Sequence, residues 1–264
     1  MLEYKIHSKD AAKGYVVLLH GLGGSSAIFY KQMKQYQQHF NVITLHLPGH
    51  GNSPSVSNYT GFSFSIVAGE VIKTLDYLKI KHAHFVGISL GSVIIHYILK
   101  ERPKIVKSAT LAGAMTRFNL FSNVLYTLGK LIKSITPHVW IYNLFAYMIM
   151  PKSNHKKSRS IFIKEAKKMR REDFIGWFDA INDLKESYLQ VQTRAKGIPK
   201  LYVSGNQDHL FIDSLKKDIK QDEDAHMRII ENCGHVCNLD GFQQFNKISL
   251  EFLKLQEKAV RKIS

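Results

Sequence analysis

The stretch Gly87-Ile88-Ser89-Leu90-Gly91-Ser92 lies where a predicted strand changes to a predicted helix. The apolar run before it, residues 82–86, is typical of a strand, and the run at 92–99 is typical of a buried helix. Such a sharp turn strains the backbone of its central residue, and the flanking glycines let neighbouring segments approach closely. The Ser89 hydroxyl is then exposed above the sheet, which is the layout of a nucleophile elbow.

Strand-like and helix-like runs alternate on both sides of this stretch. Residues 15–19 form a continuous apolar and β-branched run, which predicts a buried central strand. The alternation predicts an α/β fold with a mostly parallel central sheet flanked by helices on both faces. The other predicted strands after this one lie at residues 41–47, 107–112, 199–204 and 227–231.

The alternation stops near Met115. Apolar residues then recur at helical spacing, Pro137 and Pro151 interrupt the pattern, and the next predicted strand begins only at Pro199. We therefore expect an inserted all-helical cap, and the pattern does not say which of its side chains contact a substrate. The predicted division is a core domain of residues 1–114 and 196–264 with a cap at residues 115–195.

Three chemically active residues, Ser89, Asp208 and His235, each follow a predicted strand. The carboxyl ends of parallel strands meet at one edge of a sheet, so we expect these side chains to converge. A serine is a poor nucleophile until a base takes its proton, and His235 can do so near neutral pH. Asp208 would accept a hydrogen bond from the other ring nitrogen and stabilise the imidazolium.

A glycine-rich loop, His20-Gly21-Leu22-Gly23-Gly24, follows the strand at residues 15–19. We expect the backbone N–H groups of Leu22 and Leu90 to stabilise a negatively charged oxygen beside Ser89. An ordinary turn is the alternative. Glycine-rich loops also bind phosphate, but the chain has no G-x-x-x-x-G-K-[ST] and no G-x-G-x-x-G. His20 is expected to be structural and bonded to the backbone.

These segments together resemble the α/β-hydrolase superfamily, and the match covers the chain apart from the insert, which resembles that family's helical cap. The resemblance implies an eight-stranded, mostly parallel sheet and serine hydrolase chemistry without a metal or other cofactor. The five matching segments are His20-Gly21-Leu22-Gly23, Gly49-His50-Gly51-Asn52-Ser53, Gly87-Ile88-Ser89-Leu90-Gly91, Gly205-Asn206-Gln207-Asp208 and Gly234-His235.

The chain departs from the family pattern at two places. Only one strand fits before Tyr15, so we expect the sheet to lack the family's first strand. After His235 the usual acidic-x-Pro is replaced by Asp240-Gly241-Phe242. Asp240 is also a second candidate acid for His235.

The segment Cys233-Gly234-His235-Val236-Cys237 offers a competing interpretation as a metal site. That use would occupy the only well-placed general base, and no fourth ligand stands out in the sequence. We therefore expect no metal at this segment.

The composition indicates the charge of the protein and the cellular compartment expected for it. The 264 residues carry 37 Lys and Arg against 21 Asp and Glu, a net charge of +16. Two cysteines are too few for a disulfide framework, and residues 1–7 lack the apolar core of a signal peptide, so we expect a cytoplasmic protein. No nucleic-acid recognition motif accompanies the positive charge.

Much of the positive charge lies in one stretch. Residues 152–171 hold nine Lys or Arg and one acid, directly after the apolar run at residues 140–150. A solvated helix face is one interpretation of this pattern. The other is a weak contact between the basic cap and an anionic membrane.

We expect a serine hydrolase that cleaves carboxylic esters through an acyl-enzyme on Ser89. An apolar cap over the serine favours a lipophilic small-molecule ester with an apolar acyl group. A thioesterase or a lyase-like member of the superfamily is the alternative enzyme. A catalytically silent ligand-binding member is the alternative from another class, because a fold does not fix a function.

Overall fold

The computed structural model describes residues 1–118 and 120–263, with side chains at all of these positions except 120, 121, 125, 182–187 and 260–263. Seven strands are present in the described residues: β1 (Tyr4–Ile6), β2 (Tyr15–Leu19), β3 (Asn41–Leu45), β4 (Ala83–Ile88), β5 (Val106–Ala112), β6 (Lys200–Gly205) and β7 (Ala225–Ile230).

Eleven α-helices accompany the strands in the described part of the chain. They are α1 (Tyr30–His39), α2 (Phe64–Tyr77), α3 (Leu90–Glu101), α4 (Leu120–Ile132), α5 (His138–Ile149), α6 (Lys156–Ala166), α7 (Arg171–Asp179), α8 (Leu184–Arg194), α9 (Ile212–Ile219), α10 (Cys237–Asp240) and α11 (Phe242–Ile263).

The strands form one sheet in the order β1-β3-β2-β4-β5-β6-β7. Only β1 runs antiparallel to its neighbour, and each of the other pairs is parallel. The predicted α/β fold with a mostly parallel central sheet is therefore confirmed. A single strand, β1, precedes β2 among the described residues, as predicted from the short N-terminal stretch.

The central strands are buried on both faces because helices cover each side. Side chains of β2 alternate between the two sides: Val17 and Leu19 belong to the core under α2 and α3, whereas Val16 and Leu18 belong to the core under α1 and α11. A parallel sheet covered in this way explains why residues 15–19 form a continuous apolar run rather than an alternating one. The carboxyl ends of β2, β4, β6 and β7 then share one edge.

Helices α4–α8, residues 120–194, lie between β5 and β6 and are called the helical segment. The apolar residues at 177–189 recur at helical spacing, and the structure divides this stretch between two helices. Helix α7 ends at Asp179, a 3-10 turn spans Ala180–Asp183, and α8 begins at Leu184. Helix α8 packs against α3 of the core. No helix among the described residues is both long enough and apolar enough to cross a bilayer.

Candidate active site

Ser89 occupies the turn between β4 and α3 with φ of 53° and ψ of −115°. A positive φ at a residue with a Cβ is strained and persists only where its surroundings enforce it. A Cβ on Gly91 would lie 2.1 Å from the carbonyl oxygen of Leu19, and a Cβ on Gly87 would lie 2.5 Å from the backbone of Gly91. Both positions therefore require glycine, and the close approach fixes the turn against β2.

The side chains of Ser89, His235 and Asp208 form one hydrogen-bonded chain. His235 Nε2 lies 2.9 Å from Ser89 Oγ, and His235 Nδ1 lies 2.9 Å from Asp208 Oδ2. An ionised carboxylate only accepts, so Nδ1 carries the proton and Nε2 can accept from the serine hydroxyl. His235 and Asp208 are each 1 % exposed, whereas Ser89 is partly exposed. This arrangement can move a proton from the serine to a buried, oriented imidazole.

Each partner of Ser89 is supported by its own loop. The backbone N–H of Asp208 donates to the Gly205 carbonyl at the end of β6. Gly113, with φ of 54°, passes so close to His235 that a Cβ there would lie 2.5 Å from the His235 carbonyl oxygen. The rings of Phe211 and His235 lie 5.2 Å apart. These contacts limit the orientations that the imidazole can adopt.

The loop after β2 places Leu22 at the same cavity as Ser89 and Leu90. Among the described residues, neither the N–H of Leu22 nor that of Leu90 donates to a protein group. The loop is held from two sides: the Tyr142 hydroxyl donates to the Leu22 carbonyl, and the Gly23 N–H donates to His50 Nε2 at 2.8 Å. Leu22 and Leu90 thus line the same cavity as Ser89, and their N–H groups bond to no protein acceptor among the described residues.

Two buried histidines hold this loop in their neutral form. His50 Nδ1 donates to the Pro48 carbonyl at 2.9 Å, and His20 Nδ1 donates to the Gly21 carbonyl at 2.8 Å. Burial lowers the pKa of His50 to about 4 and lowers the pKa of His20 well below its usual value. Each Nε2 therefore remains an acceptor for a backbone N–H, which for His20 is that of Leu47 at 3.2 Å. His20 has the backbone bonds predicted for a structural histidine.

An apolar cavity of about 110 Å³ opens at Ser89. It is closed on one side by the core and on the other by the helical segment, and its lining is almost entirely aromatic or aliphatic. A larger cleft of about 810 Å³ lies at the opposite, N-terminal edge of the sheet and is lined by charged residues; Ser89 does not line it. The lining residues that belong to the helical segment are Ser122, Tyr126, Tyr142, Phe145, Ile149, Phe162, Phe174, Phe178 and Ile181.

Asp240 and the two cysteines, the residues of the competing assignments, have no bond to the His235 ring. Asp240 ends α10, and burial raises the pKa of its carboxyl; the carboxylate that accepts from His235 Nδ1 is that of Asp208. Cys233 and Cys237 are buried free thiols. Within residues 1–118 and 120–263, no group of three or more His, Cys, Asp or Glu is placed to hold a metal ion.

No sequence pattern marks the residues of the helical segment that hold the loops beside Ser89. Tyr142 lies in an apolar run and reads there as one more aromatic of a packed helix. The structure also shows Trp177 Nε1 donating to the Pro48 carbonyl at 2.8 Å, and His155 Nε2 donating to Gln207 Oε1 at 2.8 Å. Each of these bonds joins positions more than fifty residues apart in the chain.

Comparison with known proteins finds hydrolases among those similar to this chain. A family model described as alpha/beta hydrolase fold matches residues 14–132. The "Putative carbamate hydrolase RutD" of Acinetobacter baylyi is 25% identical over 94% of this chain and 96% of its own length. The pimeloyl-[acyl-carrier protein] methyl ester esterase of Methylococcus capsulatus is 34% identical over 39% of this chain and 38% of its own length.

Solved structures resemble the whole chain. A crystal structure from a study of carboxylesterases of the thaumarchaeon Nitrososphaera gargenis superposes with a TM-score of 0.81. The alignment covers 98% of this chain and 96% of that protein at 16% identity. At this identity the likeness establishes the fold.

Proposed function

Because the chain belongs to the α/β-hydrolase superfamily, we propose that it is a serine hydrolase that cleaves carboxylic esters. The observation that carries this proposal is the hydrogen-bonded chain from Ser89 through His235 to Asp208 at an apolar cavity. The two relatives carry hydrolase and esterase names, which supports the same reaction class.

In the proposed reaction, His235 Nε2 takes the Ser89 proton as Ser89 Oγ attacks the ester carbonyl carbon. The carbonyl oxygen becomes an oxyanion, and the N–H groups of Leu22 and Leu90 donate to it. His235 then protonates the leaving alcohol as the C–O bond breaks. A water molecule, deprotonated by His235, attacks the acyl-enzyme and releases the acid. Asp208 holds the imidazole in position throughout.

We propose that residues 115–195 act as a cap over the core formed by residues 1–114 and 196–264. The cavity at Ser89 takes more than half of its lining from this segment. Because that lining is apolar, the acyl group is apolar, with each buried CH₂ contributing about 0.8 kcal/mol. Pockets for drug-sized ligands reach about 300–1,000 Å³, so a cavity of about 110 Å³ favours short to medium acyl chains over charged or sugar substrates.

A series of p-nitrophenyl esters from acetyl to octanoyl tests the acyl preference. We expect kcat/KM to rise from acetyl to the short and medium chains and to fall once the cavity is full. Ile149→Ala enlarges the cavity and should move the optimum to a longer chain, whereas Ile229→Ala, at an exposed position on β7, should not. An optimum at acetyl with no activity on octanoyl would instead indicate a tight, polar pocket.

A fluorophosphonate probe tests the reaction class directly. The native protein should be labelled at Ser89, and Ser89→Ala should abolish the label. The variant Ser160→Ala, at an exposed serine of α6, is the matched control and should be labelled like the native protein. A native protein that resists the probe would indicate a catalytically silent ligand-binding member.

We also propose a cellular compartment for the enzyme. Two buried free cysteines suit a reducing compartment, and we place the activity in the cytoplasm. A lipophilic ester substrate also fits a weak contact of the basic residues 152–171 with an anionic membrane.

A further inference from the structure

The helices α4 and α5 each present two apolar faces. The inner face of α5 carries Tyr142, Phe145 and Ile149, spaced three and four residues apart, and these side chains line the cavity at Ser89. The opposite stripe of α5 carries Trp140, Leu144 and Tyr147, with the same spacing. Each of these three side chains is more than half exposed. A helix that is apolar all round is ordinarily buried or in contact with a membrane.

Helix α4 also carries exposed apolar side chains and lies beside α5, where a Cβ on Gly129 would come within 3.5 Å of the Phe145 ring. The two helices are joined by residues 133–137, so the last turn of α4 and the first turn of α5 lie close together. We define the outer face as six apolar side chains, each more than half exposed: Leu128, Leu131, Ile135, Trp140, Leu144 and Tyr147. Large exposed apolar side chains elsewhere lie on separate elements, such as Tyr77 on α2 and Leu255 on α11. A clustered apolar surface of this kind marks an interaction site.

Positive charge borders the outer face at its Tyr147 end. The Arg159 guanidinium lies over the Tyr147 ring at 4.3 Å. Arg159 also donates to the carbonyl of Lys152, whose own side chain is exposed. Between residues 120 and 171 the sequence has a single acid, Glu165, and that carboxylate pairs with Lys168.

We propose that the outer face of α4 and α5 docks on the surface of an anionic lipid bilayer. Apolar side chains with an aromatic among them insert at the boundary between headgroups and acyl chains, and basic side chains at the rim contact anionic headgroups. A second copy of the chain is a poorer fit, because it would bring two basic rims together. The inference deepens the proposed esterase function: the helices that rest on lipid are those whose inner faces line the cavity, so a lipophilic ester can pass from the bilayer to Ser89.

The two tryptophans of the chain make the docking measurable. Trp140 is on the outer face, whereas Trp177 is fully buried and bonded to the Pro48 carbonyl. Vesicles of phosphatidylcholine mixed with phosphatidylglycerol should co-sediment the protein and shift its fluorescence to shorter wavelength. Trp140→Phe should keep the binding and lose the shift. Phosphatidylcholine vesicles alone should bind weakly, and salt should weaken binding to the anionic vesicles, because surface charges are screened over about 8 Å at physiological ionic strength.

Two pairs of matched variants separate the outer face from general surface effects. Trp140→Ser with Leu144→Ser should reduce vesicle binding by at least about tenfold, whereas Tyr77→Ser with Leu255→Ser, equally exposed, should leave it unchanged. Lys152→Glu should also reduce vesicle binding, whereas an equal charge change at the opposite sheet edge, Lys104→Glu, should not.

The inference is overturned if the native protein fails to bind anionic vesicles at low salt, or if it binds both lipid types equally. It is also overturned if the Tyr77 and Leu255 variant loses binding to the same degree. A dimer that forms without lipid and dissociates on Trp140→Ser with Leu144→Ser would assign the face to a second copy instead. Failure here is distinguishable from failure of the proposed function: Ser89→Ala should bind vesicles normally, and the Trp140 and Leu144 variant should hydrolyse a soluble short ester at the native rate.

Discussion

The loops at the carboxyl edge of the sheet hold their side chains with hydrogen bonds, whereas the helical segment holds its own mainly by aromatic packing. In the loops, Ser89, His235 and Asp208 are joined by bonds of 2.9 Å. In the segment, the Tyr142 ring stacks on Phe162 at 4.4 Å. Polar bonds specify direction and identity, while apolar packing specifies volume. Under the proposed function, the loops would therefore carry the reaction and the segment would set the substrate preference.

The two regions are nevertheless tied together at several loops, of which three illustrate the pattern. Tyr142 bonds to the loop after β2, Trp177 to the loop after β3, and His155 to the loop after β6. Each tie comes from a different part of the helical segment. The segment therefore helps to position the loops beneath it, besides covering the cavity.

The largest expected effect comes from substituting the hydrogen-bonded side chains of the loops. Ser89→Ala and His235→Ala should each lower kcat/KM for p-nitrophenyl butyrate by about 10³-fold or more, and Asp208→Asn by a similar or smaller factor. The reason is that each change removes a member of one proton-transfer unit. Folding should survive all three changes, as measured by circular dichroism. His226→Ala, at an exposed position, is the control. Near-native turnover by Ser89→Ala would refute the mechanism.

The next effect concerns His50, which holds the loop after β2. Burial lowers its pKa from 6.5 to about 4, so as pH falls the unfolded chain takes up the proton first. The stability that neutral His50 contributes is complete above about pH 6.5. It is lost progressively between about pH 6.5 and 4, which lowers the free energy of unfolding by on the order of 3 kcal/mol. Urea unfolding across this range should therefore show falling stability in the native protein.

The variant His50→Ala separates the contribution of His50 to this pH dependence from that of other groups. It removes the acceptor of the Gly23 N–H and should lower the free energy of unfolding at pH 7 by about 1–3 kcal/mol. Its loss of stability between pH 6.5 and 4 should be shallower than that of the native protein. The exposed His82→Ala should follow the native curve. An unchanged slope in His50→Ala would mean that other buried histidines account for the pH dependence.

A smaller effect tests the tie between the two regions. Burial raises the pKa of Tyr142 well above its usual value, so its hydroxyl stays protonated and donates to the Leu22 carbonyl. Tyr142→Phe should lower kcat by about tenfold, less than the loss of an oxyanion donor itself, with little change in KM. Tyr147→Phe, an exposed tyrosine of the same helix, is the control. An unchanged kcat would limit the segment to covering the cavity.

The same contrast explains how far the sequence could predict the molecule. Ser89, Asp208 and His235 were predictable because each residue follows a strand, and parallel strands bring their carboxyl ends to one edge. Tyr142 was not, because its role depends on the packing of α5 over a loop 120 residues away in the chain. The exposure of the outer face was not predictable for a related reason. When a helix is apolar on both sides, the spacing of its apolar residues does not indicate which side is buried.

The last expected effect, on stability alone, lies outside both regions, at the N-terminal edge of the sheet. There Glu257 of α11 accepts from His84 at 2.9 Å and from Lys107 at 2.8 Å. The hydrogen bond from His84, with that from Lys107, lowers the pKa of Glu257 to about 2, against 4.5 for an ordinary glutamate. A lowered carboxyl pKa contributes stability above about pH 4.5 and loses it as pH falls towards 2.

Glu257→Gln should therefore lower the free energy of unfolding at pH 7 by about 1–3 kcal/mol, and the difference from the native protein should be smaller at pH 4. Glu251→Gln, an exposed glutamate of the same helix, should leave stability unchanged. Because Glu257 is remote from Ser89, kcat should stay at the native value. A fall in kcat would mean that the opposite edge of the sheet also positions the loops. Catalysis would then depend on contacts outside both the loops and the helical segment.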